Sequence, residues 1–330
     1  MTAGAAIFGL EGTRLSLDER AFFREFDPLG FILFARNVDT PDQLRALTSE
    51  LREVVGREAP ILIDQEGGRV ARMGAPHWRE WLPPLDQAQQ THDPARAMYL
   101  RYRIIADELR AVGIDANCAP CADIAFPDTH PFLRNRCFAQ TAEDVVPLAW
   151  AVTQGLLDGG VLPVLKHIPG HGRARSDSHK EIPYVDASEE MLMDTDFKVY
   201  KALNDLPLGM TAHVVYRGLG MDAPATTSGE MIALIRKKLG FRGLLMTDDI
   251  SMNALSGTVS DRAKDAFRAG VDVVLHCNGN LSEMQQIAQV SGTLGQGANW
   301  RLENALAQRQ PPIATDISAL EAELQTLYIP

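Results

Sequence analysis

The stretch VLPVLKHIPGHG (Val161 to Gly172) changes character halfway along. Residues 161–165 form a short apolar, β-rich run; Lys166 and His167 follow at once, and Pro169, Gly170 and Gly172 then interrupt regular backbone. An amphipathic segment at 142–157 precedes it, so the local order is helix, strand, polar loop. Short runs of the same kind lie at 5–8, 29–34, 60–63, 114–118, 208–211, 244–247 and 271–275. Longer segments with one apolar face lie between them at 41–55, 94–112, 189–204, 229–239 and 261–269. Eight strands alternating with helices in a chain of 330 residues predict a single (β/α)8 TIM-type barrel in one domain, residues 1–330. A doubly wound open sheet is the rival, but no Gly-rich phosphate loop follows the first strand.

Composition narrows the function. Hydrophobic residues make up 45% and charged residues 23%, as in a globular protein with a large core. With 32 basic and 43 acidic residues the net charge is −11, which disfavours nucleic acid and anionic membrane surfaces as partners. The expected partner is a small-molecule substrate. The opening MTAGAAIFGLEGTRL has no basic residue ahead of its apolar run, and Glu11 interrupts that run. It reads as a first strand, and a cytoplasmic location is expected. Cys118 and Cys121 have CxxC spacing but no second pair or nearby His in sequence, so they read as small core residues. No metal or cofactor is assigned.

Barrels of this kind carry chemistry at the carboxyl ends of their strands. Asp64, Asp123, Lys166, His167, His213, Asp248 and His276 all fall there, following the third to eighth runs. The loop leaving the fifth run, 166–183, adds His171, Asp177 and His179 and should overhang the same mouth.

DQEGGRVARM (64–73), KHIPGHG (166–172) with DSH (177–179), MTAHVVY (210–216) and MTDDISM (246–252) together resemble the β-N-acetylhexosaminidases of glycoside hydrolase family 3. The resemblance implies a cytoplasmic enzyme of bacterial cell-wall recycling that removes terminal N-acetylglucosamine from muropeptides, with no cofactor and most simply as a monomer. It also implies Asp248 as nucleophile, His179 as acid/base and Asp177 as its partner, with Asp64, Arg72, Arg136, Lys166 and His167 binding the sugar. RNRCFA (134–139) departs from the family pattern at Cys137 and Ala139 and leaves Arg134 as a neighbouring alternative to Arg136; Ile168 stands where Phe is usual.

The chemistry of the residues agrees with those roles. A carboxylate at a strand end can attack an anomeric carbon and later leave as a stable anion. A His titrates near neutrality, so it can protonate a leaving oxygen and then deprotonate water, and a nearby Asp can orient it. Asp248 and Asp249 are adjacent, so in an extended strand only one should face the mouth. Two other classes fit less well: a phosphorylase passing the same intermediate to phosphate, and a non-catalytic sugar-binding barrel. Gly170 and Gly172 are expected to let the His179 loop close over bound sugar.

Overall fold

A computed structural model describes residues 3–176, 178 and 181–329. Eight parallel strands close into a barrel in sequence order. They are β1 (Gly4–Gly9), β2 (Pro28–Leu33), β3 (Ile61–Ile63), β4 (Ala116–Asn117), β5 (Leu162–Ile168), β6 (Leu208–Thr211), β7 (Leu244–Asp249) and β8 (Val273–His276). The helices are α1 (Leu17–Phe26), α2 (Pro41–Val55), α3 (Pro84–Gln89), α4 (Pro94–Ala111), α5 (Pro131–Arg134), α6 (Ala142–Asp158), α7 (Glu189–Asp194), α8 (Asp196–Ala202), α9 (Gly229–Lys237), α10 (Val259–Ala269), α11 (Leu281–Ser291), α12 (Gln296–Ala307) and α13 (Ile317–Thr326). None is long and apolar enough to cross a membrane.

Local chemistry sets the helix ends. Thr40 accepts a hydrogen bond from Gln43 N with Pro41 in the first turn of α2, and Gly56 ends that helix at φ 66°. Asp93 and Thr141 cap α4 and α6 in the same way. The strand alternation then sorts the apolar residues into two layers. Ile32, Leu62, Val164, Met210, Met246 and Leu275 pack together in one cluster inside the barrel. Their neighbours Leu33, Ile63, Leu165, Leu245 and Val274 pack in another, with the helices. Ala298 and Ala305 of α12 join the interior cluster, and Arg301 pairs with Asp272, just before β8, so α12 covers the end where the strands begin. The opposite end stays open for the site.

The single helix expected at 189–204 is two. Thr195 turns at φ −127°, ψ −94°, where its hydroxyl bonds Met191 O and the Asp196 carboxylate. β4 is shorter than the predicted 114–118, although Asp115 N and Cys118 N still bond the β3 carbonyls of Ile61 and Ile63. Gly170 and Gly172 serve close packing. A Cβ on Gly172 would lie 2.2 Å from Ile124 O, and Gly170 has φ 141° with Asp196 Cβ 2.9 Å from where its own Cβ would be.

Candidate active site

Asp64 follows β3 directly, and it and Glu66, two residues on, both turn toward the same cations. Lys166, at the end of β5, places Nζ 2.7 Å from Asp64 Oδ1 and 2.6 Å from Glu66 Oε1. Arg72 reaches the other oxygen of Asp64 at 3.0 Å, and Arg136 holds Glu66 in a two-pronged pair at 2.9 and 3.0 Å. Gln65 fixes the turn between them by accepting from Arg72 N and Met73 N and donating to Met73 O.

Burial alone would favour the neutral carboxyls, yet the cations win. Lys166 and then Arg72 hold Asp64 well below the usual carboxylate range, and Arg136 and Lys166 hold Glu66 down to about 2. The same carboxylates push Lys166 upward against the burial that would neutralise it. The floor is therefore a row of fixed charges.

His167 extends the row. Its Nδ1 lies 2.7 Å from Asp123 Oδ2, and its Nε2 lies 3.5 Å from Arg136 Nη2. Burial opposes the imidazolium, but Asp123 raises His167 to about 9. His171 goes the other way, to about 4, because burial and then the charge of His167 disfavour its protonation. Its Nε2 meets Ser178 Oγ at 3.2 Å.

Asp248, the half-buried penultimate residue of β7, accepts from Asp249 N at 2.8 Å. Both Asp248 and Asp249 line the cavity, unlike the single-facing expectation, because the β7–β8 register shifts between Met246 and Asp249. Asp249 is occupied with structure: Ser251 N and Cys277 N donate to Oδ1 at 3.1 Å each, and the Ser251 hydroxyl donates to Oδ2 at 2.7 Å. His213 sits behind, its Nε2 3.0 Å from Asp249 O and its Nδ1 2.7 Å from Thr226 Oγ1. Burial lowers its affinity for protons, so the network assigns a neutral ring that donates to the carbonyl and accepts from Thr226. His276, the buried last residue of β8, bonds Glu283 at 2.8 Å.

These groups surround one cavity of about 230 Å³. Asp64, Arg72, Arg136, Lys166, His167 and Asp248 all line it. Arg134 instead donates to Phe126 O, which separates it from Arg136. Asp177 and His179 lie outside the described residues; Ser178, between them, lines the cavity. Glu66 escaped the sequence reading, although DQEGG placed it one alternation from Asp64. So did the rim residues Phe34, Arg69 and Phe132, which no spacing rule marks. Cys118, Cys121, Cys137 and Cys277 are buried and free. Cys121, Asp123 and His167 bring potential metal-ligand atoms within 4.8 Å of one another.

Residues 18–308 match the glycosyl hydrolase family 3 N terminal domain. The chain belongs to this family. It is a glycoside hydrolase on a (β/α)8 barrel, as its sequence predicts. It is 39% identical over 288 residues to the β-hexosaminidase of Alkalilimnicola ehrlichii, covering 84% of this chain and 82% of the relative. It is 35% identical over 293 residues to that of Bordetella pertussis, covering 85% and 82%. The structure of NagZ from Neisseria gonorrhoeae in complex with N-trifluoroacetyl-D-glucosamine is similar at TM-score 0.87 and 28% identity, covering 100% of this chain and 99% of that one. A family 3 β-N-acetylglucosaminidase from Paenibacillus matches at TM-score 0.87 and 28% identity, over 98% and 67%.

Proposed function

We propose that the protein is a retaining exo-β-N-acetylglucosaminidase that removes terminal N-acetylglucosamine from muropeptides in the cytoplasm during peptidoglycan recycling. The observation that carries this reading is the cavity itself: a floor of fixed charges beside a strand-end carboxylate, in a chain similar to named β-hexosaminidases. Ile32, Met210 and Leu275 of the barrel interior contribute to its lining, so the cavity is backed by packed core and accepts the end of a chain better than its middle.

In this reading Asp64, Arg72, Arg136, Lys166 and His167 bind the sugar. Their charges are already paired and positioned, so hydroxyl and amide groups meet ordered donors and acceptors rather than flexible side chains. Asp248 attacks the anomeric carbon and forms a glycosyl-enzyme ester as the glycosidic oxygen departs. His179 delivers the proton to that oxygen, then takes one from the water that cleaves the ester, and Asp177 orients its ring.

The test is release of nitrophenol from nitrophenyl N-acetyl-β-glucosaminide in phosphate-free buffer. Hydrolysis of the β anomer is expected, and its absence, or release only with added phosphate, would overturn the reading.

A further inference from the structure

Asp123 is not among the sugar-binding residues, yet it is the most heavily used acceptor at the mouth. It follows β4, is fully buried, and receives five groups, one of them the neutral Cys121 thiol of its own segment at 3.5 Å from Oδ2 and the others from β5, the β5 loop and α8. Oδ1 accepts from the Tyr200 hydroxyl of α8 at 2.7 Å and from His171 N at 2.6 Å. Oδ2 meets His167 Nδ1 at 2.7 Å and His167 N at 3.4 Å. Tyr200 and the two amides are neutral donors. A carboxylate withdrawn from water needs a compensating charge, and the ring of His167 is the cation-forming group in contact with it.

The opposite side of that ring gives the consequence. Arg136 Nη2 already donates to Glu66 Oε1 and lies 3.5 Å from His167 Nε2. With His167 protonated, both nitrogens are donors and cannot bond each other. They converge on the cavity they both line. An acceptor oxygen seated between them would satisfy both.

We propose that Asp123 is a positioning residue that keeps His167 as an imidazolium and so builds, with Arg136, a two-donor seat for one oxygen of the bound sugar. This rests on the reading of the cavity as a sugar site. The other ionisable groups around the ring are Cys121 on the Asp123 segment, His171 on its own loop, His213 beyond β6 and Asp248 on β7. Burial disfavours protonation of both His171 and His213, so neither competes for the charge.

The experiment follows the ring nitrogens of His167 by 15N NMR in the ligand-free enzyme, assigned with His167→Gln, alongside pH-dependent kinetics. The wild type should hold the His167 proton until about pH 9, with KM rising above that pH. In Asp123→Asn the ring should titrate at or below the ordinary ~6.5, KM should rise about 10-fold at neutral pH, and the alkaline limb should disappear. Tyr200→Phe removes one of the neutral donors to Asp123; it should leave the titration and KM in place even if the fold is weakened. A wild-type His167 that titrates near ~6.5 would overturn the proposal even if Asp123→Asn does not fold. So would a folded Asp123→Asn with unchanged KM and alkaline limb. A protonated His167 in an enzyme that binds no N-acetylglucosamine would overturn the sugar reading while supporting the charge assignment.

Discussion

The two halves of the barrel mouth are built differently. From β3 to β5, Arg72, Asp64, Lys166, Glu66, Arg136, His167 and Asp123 form one connected row of ion pairs and close contacts, most of it buried. From β6 to β8, Thr211, Thr226, His213, Asp249, Ser251 and Cys277 form a network made largely of hydroxyl, imidazole and backbone hydrogen bonds behind half-buried Asp248. The first half spends paired charges on shape, and removing one member strands its partner in a dry interior. The second holds the backbone around Asp248 through hydrogen bonds among Asp249, His213, Ser251 and Cys277. The two halves should therefore fail in different ways: the ion-paired half through stability and binding, the hydrogen-bonded half through turnover.

The largest effect should come from Asp248→Ala. Loss of the nucleophile should lower kcat at least ~10⁴-fold while the melting temperature stays within a few degrees of wild type, read by steady-state kinetics beside calorimetry. A comparable collapse in stability would erase the contrast between the halves. Lys166→Met should show the reverse balance. Asp64 and Glu66 would lose their shared cation, and denaturant unfolding should report a loss of about 3–5 kcal/mol together with a weakened KM.

The pH dependence sharpens the comparison next. His167 is raised to about 9 in the fold, so its pairing with Asp123 is fully present below its unfolded value of ~6.5 and is lost as pH climbs through about 9, a change of roughly 3 kcal/mol. Asp64, Glu66 and Asp123 are held low, so their contribution is present above the ordinary carboxylate range and is lost as pH falls below it. His171, lowered to about 4, adds to the acid loss because the unfolded chain takes up its proton first. Unfolding at pH 7 and pH 10 should differ in wild type and much less in Asp123→Asn.

On the other half, Asp249→Asn keeps the size of the side chain but weakens its hold on Ser251 and Cys277. A drop in kcat of about 10- to 100-fold with KM little changed is expected, from misplacement of Asp248. The smallest effect should be that of chelators. Incubation with EDTA should leave kcat unchanged despite the clustered Cys121, Asp123 and His167; a loss restored by a divalent ion would place a metal in that cluster.

Sequence legibility follows the same divide. The alternation of runs predicts the barrel because each strand and helix carries its own period, and α2 spans 41–55 as its cap and terminal Gly dictate. Strand-end residues such as Asp64, Lys166 and Asp248 are legible from position alone. Pairings across the fold are not. Glu66 becomes a site residue only when Arg136, 70 residues away, turns toward it, and Asp123 gains its role from His167, 44 residues on. The break at Thr195 depends on the Asp196 carboxylate, which Arg173 binds from the β5 loop. No helical periodicity carries that information.

Covalent trapping tests the central claim most directly. A fluorinated N-acetylglucosaminyl donor should glycosylate the enzyme at its nucleophile and stall there, because fluorine slows hydrolysis of the glycosyl ester more than it slows loading by a good leaving group. Digestion and mass spectrometry should find one sugar on the peptide containing Asp248 and none after Asp248→Ala. A label on Asp249, on any other residue, or persisting in Asp248→Ala would contradict the account.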